Sequence, residues 1–165
     1  QYKDVTLDCQ FIDNAVMQLI LNPKQFDVIL SDNLFGDILS DEASVLGGSI
    51  GLLASSSLGE KYALFEPIHG SFPQATGKDI ANPFAAILSA ALLLEHLGLL
   101  EEADAIERAV EKAIALNITT EDIKGKNQYA ASTSKVGDFI YDYILNQDDS
   151  NLNFKNIHMG QSTII

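Results

Sequence analysis

The strongest restriction on the fold comes from an apolar segment, FAAILSAALLLEHL, which follows Asn82-Pro83 and ends before Gly98. Asparagine caps helices well, and proline suits the first helical position because its missing N–H would have no intrahelical partner there. The apolar run Pro83 to Leu94 is broken only by Ser89, and it is shorter than the roughly 20 residues needed to span a bilayer. We therefore predict a buried helix that other elements surround on most sides.

Two further helices are predicted after this segment. Residues 101–116 form an amphipathic pattern with Ile106, Val110, Ala113 and Ile114 on one face. The last helix follows a cap region at residues 132–134 and carries an apolar stripe at helical spacing. The stripe consists of Val136, Phe139, Ile140, Tyr143 and Ile144.

The first part of the chain predicts strands that alternate with helices. Residues 5–12 and 26–30 have the pattern of buried strands, and residues 15–21 and 35–46 that of helices. Two strands with a helix between them favour a parallel βαβ unit. A segment rich in glycine and serine, residues 47–59, is a candidate hinge and precedes a brief strand at 62–65. The predicted fold class is α/β, with helices packed on a mixed or parallel sheet.

Composition excludes several classes of function. Ten lysines and arginines stand against 23 acidic residues, and the net charge of −13 argues against binding to nucleic acids or anionic membranes. Cys9 is the single cysteine, so no disulfide forms within one copy and a cytoplasmic setting is expected, with Cys9 as an inert core residue. His96 is interpreted as the end of a helix and His158 as part of a tail.

Asp37 and Asp41 have the most informative spacing for chemistry. Four residues apart on a helix, they project from one face, where a divalent cation would offset their repulsion. Asp37 is predicted in the first turn of a helix that follows a buried strand, where open α/β sheets present ligand-binding residues. A solvated pair of surface charges remains the alternative. Asp13 follows the preceding predicted strand and is either a helix cap or a third carboxylate.

A loop of glycine, proline and polar residues, 66–82, is a candidate nucleotide site. Glycines let backbone N–H groups approach a ligand, and the His69 imidazole offers a stacking face and a hydrogen bond. Neither a GxGxxG motif nor a P-loop is present in it, and an ordinary connecting loop is the alternative.

Taken together, SDNLFGDILSDE, EPIHGSFPQATGKDIANP and the apolar helix resemble the isocitrate and isopropylmalate dehydrogenase family of metal-dependent decarboxylating dehydrogenases. The resemblance covers residues 5–145 and implies the C-terminal portion of a two-domain fold. It implies substrate-domain residues at 1–47, NAD-domain residues at 48–147 and a tail at 148–165. Because the chain opens on Gln1 and its methionines are Met17 and Met159, we expect the acid/base residues of the family to lie upstream.

The same resemblance implies a site. Asp37 and Asp41 would bind Mg²⁺ or Mn²⁺, and Asp13 would reach the site of the partner in a homodimer. His69 would lie against the adenine of NAD, and Gln74, which is neutral, favours NAD over NADP. The implied cofactor residues are Gly51, Ser55, His69, Gly70, Ser71, Phe72, Gln74, Ala81 and Asn82.

The isopropylmalate branch matches best, which implies oxidative decarboxylation of 3-isopropylmalate with reduction of NAD, a step of leucine biosynthesis. A related D-malate, tartrate or homoisocitrate dehydrogenase is one alternative. A non-catalytic dimerisation module is an alternative of another class.

Overall fold

The computed structural model describes residues 2–146, which form two compact units that divide between Gly48 and Ser49. The first unit contains helix α1 (Ile12–Leu21), a short 3-10 helix (Pro23–Gln25) and helix α2 (Asn33–Gly47). Helices α1 and α2 pack together, and Leu19 and Leu39 are buried in this unit.

The strands predicted at residues 5–12 and 26–30 are wrong, because neither segment forms a strand in the described part of the chain. A strand needs a neighbouring strand to satisfy its backbone N–H and C=O groups, and neither segment is paired in a sheet between residues 2 and 146. Most of their apolar side chains are exposed, up to 94% for Leu30. The predicted parallel βαβ unit is therefore not formed.

The second unit begins with a 3-10 helix (Ile50–Leu52) and two strands, β1 (Ala54–Leu58) and β2 (Ala63–Pro67). The strands pair antiparallel, with Ser56 opposite Phe65. The sheet described is this two-stranded antiparallel pair, so the mixed or parallel sheet of the prediction is corrected. The predicted α/β class, with helices packed on a sheet, is confirmed.

Three helices complete the second unit: α3 (Phe84–His96), α4 (Leu100–Ala115) and α5 (Thr133–Asn146). Helix α3 packs against both strands and α4, and α4 packs against α5. The three helices meet in one buried apolar cluster. Its members are Phe84, Ala109, Val110, Ala113, Val136, Phe139 and Ile140.

The predicted burial of these helices is largely confirmed. On α5, Val136, Phe139 and Ile140 are buried, and Tyr143 and Ile144 pack at the edge of the same cluster. The helix-end position of His96 is confirmed as well, since α3 ends there. Its ring lies 5.5 Å from that of Phe65 on β2 and joins the end of the helix to the sheet.

The remaining predictions concern Cys9, His158 and the tail. Cys9 is exposed, so its interpretation as a core residue is wrong; the segment that carries it has no strand partner and no cover. His158 and the predicted tail at 148–165 lie outside the described residues. Within residues 2–146, no helix is long and apolar enough to cross a membrane.

Val136→Ala tests the core. Val136 is fully buried, and removal of its two methyl groups leaves a cavity, so we expect the free energy of unfolding to fall by about 2 kcal/mol in urea denaturation. Tyr129→Ala is the control, because Tyr129 is 97% exposed and its loss should change stability by less than about 0.5 kcal/mol. An equal decrease in the free energy of unfolding in the two variants would contradict the burial of Val136 in the core.

Candidate functional site

Helix α2 presents Asp37 and Asp41 to solvent, one helical turn apart. The helix begins at Asn33 and ends at Gly47, where Gly48 adopts a left-handed conformation with φ 93°. Because it starts two residues earlier than predicted, Asp37 lies beyond the first turn, and the segment before the helix is not a strand. The predicted position of Asp37, in the first turn of a helix that follows a buried strand, is therefore wrong, whereas Asp37 and Asp41 do share one face of α2.

Asp13 lies within the first turn of α1, and its Oδ1 accepts a hydrogen bond from the Asn14 backbone N–H at 2.8 Å. The N-cap position is occupied by Phe11, so the cap interpretation of Asp13 is wrong. Among residues 2–146, no three acidic, histidine or cysteine side chains lie close enough together to hold a metal ion. Within this part of the chain, a cation at Asp37 and Asp41 would have these two carboxylates and no third ligand of these types.

The predicted nucleotide loop leaves β2 and returns to α3. Ile68 donates its backbone N–H to the carbonyl of Leu53, and the loop then carries a 3-10 turn (Pro73–Ala75) whose last residue is buried. The Nδ1 atom of His69 lies 2.8 Å from the Gly70 carbonyl oxygen. A carbonyl oxygen only accepts, so Nδ1 is the donor in this contact.

Most predicted cofactor residues of this loop have exposed side chains or backbone. This group contains Gly70, Ser71, Phe72, Gln74 and Ala81, whereas His69 and Asn82 are partly buried. The loop thus offers an accessible edge made of backbone, one imidazole and one neutral amide. These groups suit a nucleotide and add no cation at position 74 that would attract a 2′-phosphate.

Helix α5 anchors the end of the loop through Asp79. Its Oδ1 accepts from both the backbone N–H and the hydroxyl of Ser134, each at 2.9 Å, and Thr133 donates its N–H to the Asp79 carbonyl. The hydrogen bond from the Ser134 N–H lowers the pKa of Asp79. The Thr133 hydroxyl also donates to the carbonyl of Ala81 at 2.5 Å.

Asp122 ties the loop to the start of the second unit. Its carboxylate accepts from Ser49 Oγ at 2.5 Å, Thr120 Oγ1 at 2.6 Å and Asn82 Nδ2 at 2.9 Å. Partial burial raises the pKa of Asp122, but the hydrogen bonds from Ser49, Thr120 and Asn82 outweigh it, and the net pKa is lowered. Asp122 is therefore a carboxylate at neutral pH.

Gly51 and Asn82, two predicted cofactor residues, lie in direct contact. A Cβ atom on Gly51 would lie 2.9 Å from both Cβ and Nδ2 of Asn82, closer than a side chain can approach. Ser55 lies on β1 opposite Glu66, near the start of the loop. The second unit thus brings Gly51 to the end of the loop.

The anchoring residues Asp79 and Asp122 are absent from the predicted site. Asp79 takes a left-handed conformation with φ 54°. The preceding pair Gly77-Lys78 does not predict that conformation. Its partner Ser134 is 55 residues away, and Asp122 is 40 residues from Asn82. Sequence patterns within one element carry no signal of contacts at such separations.

Both the sequence and the fold match a known family. The family model described as isocitrate/isopropylmalate dehydrogenase matches residues 1–140. The chain belongs to the isocitrate/isopropylmalate dehydrogenase family. Members of the family include a 3-isopropylmalate dehydrogenase of Wolinella succinogenes, 54% identical over 145 residues, which are 87% of this chain and 40% of that protein. The corresponding protein of Thermotoga maritima is 56% identical over 141 residues, 85% of this chain and 40% of its own.

Solved structures agree with this membership. Isocitrate dehydrogenase from Methylococcus capsulatus matches with a TM-score of 0.82 and 40% identity, over 87% of this chain and 42% of that one. A beta-decarboxylating dehydrogenase from Thermococcus kodakarensis matches with a TM-score of 0.73 and 44% identity, over 86% and 42% respectively. The chain therefore spans about two fifths of the length of these family members.

Gly51→Ala tests the contact between Gly51 and Asn82. The added methyl group forces Asn82 away, so we expect a loss of about 1–3 kcal/mol in the free energy of unfolding. Gly137→Ala is the control, since nothing lies within 4 Å of the new Cβ inside α5 and the change should stabilise by up to about 1 kcal/mol. Stabilisation by both substitutions in urea denaturation would contradict the contact.

Asp79→Asn tests the anchor on α5. Asparagine also tolerates the left-handed backbone, so the change removes mainly the charge. Because the folded pKa of Asp79 is lowered, its carboxylate stabilises the fold above the ordinary value of 3.8, and this stability is lost as pH falls through the lowered pKa. We expect the melting temperature of the variant to be lower at pH 7 and the difference to narrow below pH 3.8. A constant difference at all pH values would contradict this role.

Proposed function

We propose that this chain carries the metal-binding and NAD-binding residues of a 3-isopropylmalate dehydrogenase. The observation that carries the proposal is the exposed pair Asp37 and Asp41 on one face of α2, in a chain about half identical to proteins of that name. Two carboxylates suit Mg²⁺ or Mn²⁺, which completes its coordination with substrate oxygens and water. Asp13 of a second copy supplies the third carboxylate in this proposal.

The cofactor in this proposal is NAD. The imidazole of His69 faces the adenine, the backbone of residues 70–72 lies along the nucleotide, and Ala81 and Asn82 bound the adenine pocket. Gly51 and Ser55 line the same cleft, and Gln74 donates to or accepts from a ribose hydroxyl. The neutral side chain of Gln74 offers no positive charge to the extra phosphate of NADP and so favours NAD.

The reaction is the oxidation of the C2 hydroxyl of 3-isopropylmalate and the loss of CO₂. When NAD⁺ is bound, its nicotinamide would accept the hydride from C2 while a base takes the hydroxyl proton. Loss of CO₂ from C3 would leave an enolate, and a proton added at C3 would then give 4-methyl-2-oxopentanoate beside NADH. The divalent cation supplies stabilisation of negative charge on the substrate oxygens when bound. Asp37 and Asp41 would hold and orient that cation, and the loop of the second unit would hold the adenosine end of NAD⁺.

A homodimer is part of the proposal. Apolar side chains on α2 are exposed, among them Ile38 at 49% and Val45 at 73%. A second copy of α2 would cover them and bring the partner's Asp13 toward Asp37 and Asp41. Size-exclusion chromatography with light scattering gives the stoichiometry, and a monomer in a complete, active enzyme would contradict this arrangement.

Asp41→Asn tests the metal ligands in a complete dehydrogenase that contains this sequence. Loss of one carboxylate weakens Mn²⁺ binding and activity by at least about tenfold, because a charge-assisted ligand is lost, while NAD binding changes far less. Calorimetric titration with Mn²⁺ and with NAD⁺ measures both effects. Glu42→Gln, on the same helix, is the matched control and should leave Mn²⁺ affinity unchanged. Equal losses for Mn²⁺ and NAD⁺ would indicate misfolding and not a lost ligand.

The 165-residue chain alone should produce no NADH from 3-isopropylmalate. It carries carboxylates for the metal, but the proposal places the proton-transfer residues upstream of residue 1. Absorbance at the NADH band, with Mn²⁺, NAD⁺ and 3-isopropylmalate present, measures this. Metal-dependent turnover by the chain alone would contradict the placement of the proton-transfer residues outside this chain.

A further inference from the structure

The Asp122 carboxylate accepts hydrogen bonds from two segments that are remote in the chain and from one near neighbour. Ser49 lies 73 residues before it and Asn82 lies 40 residues before it, while Thr120 is a near neighbour. Asp122 therefore fixes the glycine-rich start of the second unit against the end of the nucleotide loop. The motifs that suggest the cofactor site do not include it.

Each remote partner of Asp122 also accepts a hydrogen bond from a backbone N–H group. The Ser49 hydroxyl donates its proton to Asp122 and accepts from the N–H of Gly51 at 3.0 Å. The Asn82 amide donates through Nδ2 to Asp122 and accepts through Oδ1 from the N–H of Phe84 at 3.0 Å. Asp122 thus determines which way the Asn82 amide faces and supports the turn at Gly51.

We propose that Asp122 is a positioning residue for the adenine end of NAD, acting through Asn82 and Gly51. This inference rests on the proposed function, in which both residues bound the adenine pocket. A pocket whose amide and backbone are already held loses less conformational freedom when the nucleotide binds. Asp122 contributes to affinity in this way without contact with the reacting atoms.

The chemistry of the cluster requires a carboxylate. All three partners donate to Asp122, and a carboxylate is acceptor-only, so it can satisfy all of them. An asparagine of the same shape presents an N–H₂ group to at least one donor. Asp122→Asn therefore keeps the volume of the side chain and breaks the match in hydrogen bonding.

The test uses the 165-residue chain and four measurements: the dissociation constants of NAD⁺ and AMP by calorimetry, amide hydrogen exchange by NMR, and the melting temperature. In Asp122→Asn we expect NAD⁺ and AMP to bind about tenfold more weakly, by similar factors, because AMP contains the adenine end alone. Exchange should accelerate at the N–H groups of Gly51 and Phe84 more than in the middle of α4. Asp138→Asn, an exposed position on α5, is the matched control and should match the parent chain.

A milder variant covers the case in which Asp122→Asn does not fold. Ser49→Ala removes one of the three donors and should accelerate exchange at Gly51 while leaving Phe84 close to the parent chain. It should also weaken NAD⁺ and AMP binding by a smaller factor than Asp122→Asn.

The outcomes separate this inference from the proposed function. If the parent chain binds NAD⁺ and AMP but both variants bind them as tightly, the positioning role is overturned and the proposed function stands. Uniformly faster exchange across the second unit would show a general structural role and overturn the inference as well. If the parent chain binds neither NAD⁺ nor AMP, the assignment of cofactor residues fails and the inference fails with it.

Discussion

Burial of helix α3 is the interaction on which the second unit depends. The helix is apolar on nearly all sides, so β1, β2 and α4 pack around it, and its first residue, Phe84, lies in the cluster shared with α4 and α5. Burial of such side chains contributes about 1.5–3 kcal/mol each. The nucleotide loop ends where α3 begins, so the same packing that stabilises the unit also fixes one end of the loop.

The other constraints on the loop are polar. Asp79 holds it to the start of α5, and Asp122 holds Asn82 and Ser49. Both carboxylates accept several hydrogen bonds at a partly open surface, where a charged acceptor is more stabilising than a neutral one. The loop therefore combines an exposed edge, available to a ligand, with hydrogen bonds that attach it to α5 and to the turn that carries Asp122.

Local patterns predicted the helices well, because helical periodicity and capping residues act within a few residues. They failed for the segments at 5–12 and 26–30, whose strand pattern depends on neighbouring strands that residues 2–146 do not supply. The face shared by Asp37 and Asp41 followed from spacing, whereas the cofactor residues came from the family resemblance. Neither residue spacing nor the family resemblance indicated Asp122, because its role depends on hydrogen-bond partners that are remote in the sequence.

The central claim, that this chain carries an NAD site in its second unit, is tested most directly by NMR titration of the isotope-labelled chain with NAD⁺. We expect saturable chemical-shift changes concentrated at Gly51, Ser55 and residues 69–82, with little change in the middle of α4. Absence of saturable changes, or changes confined to other surfaces, would contradict it.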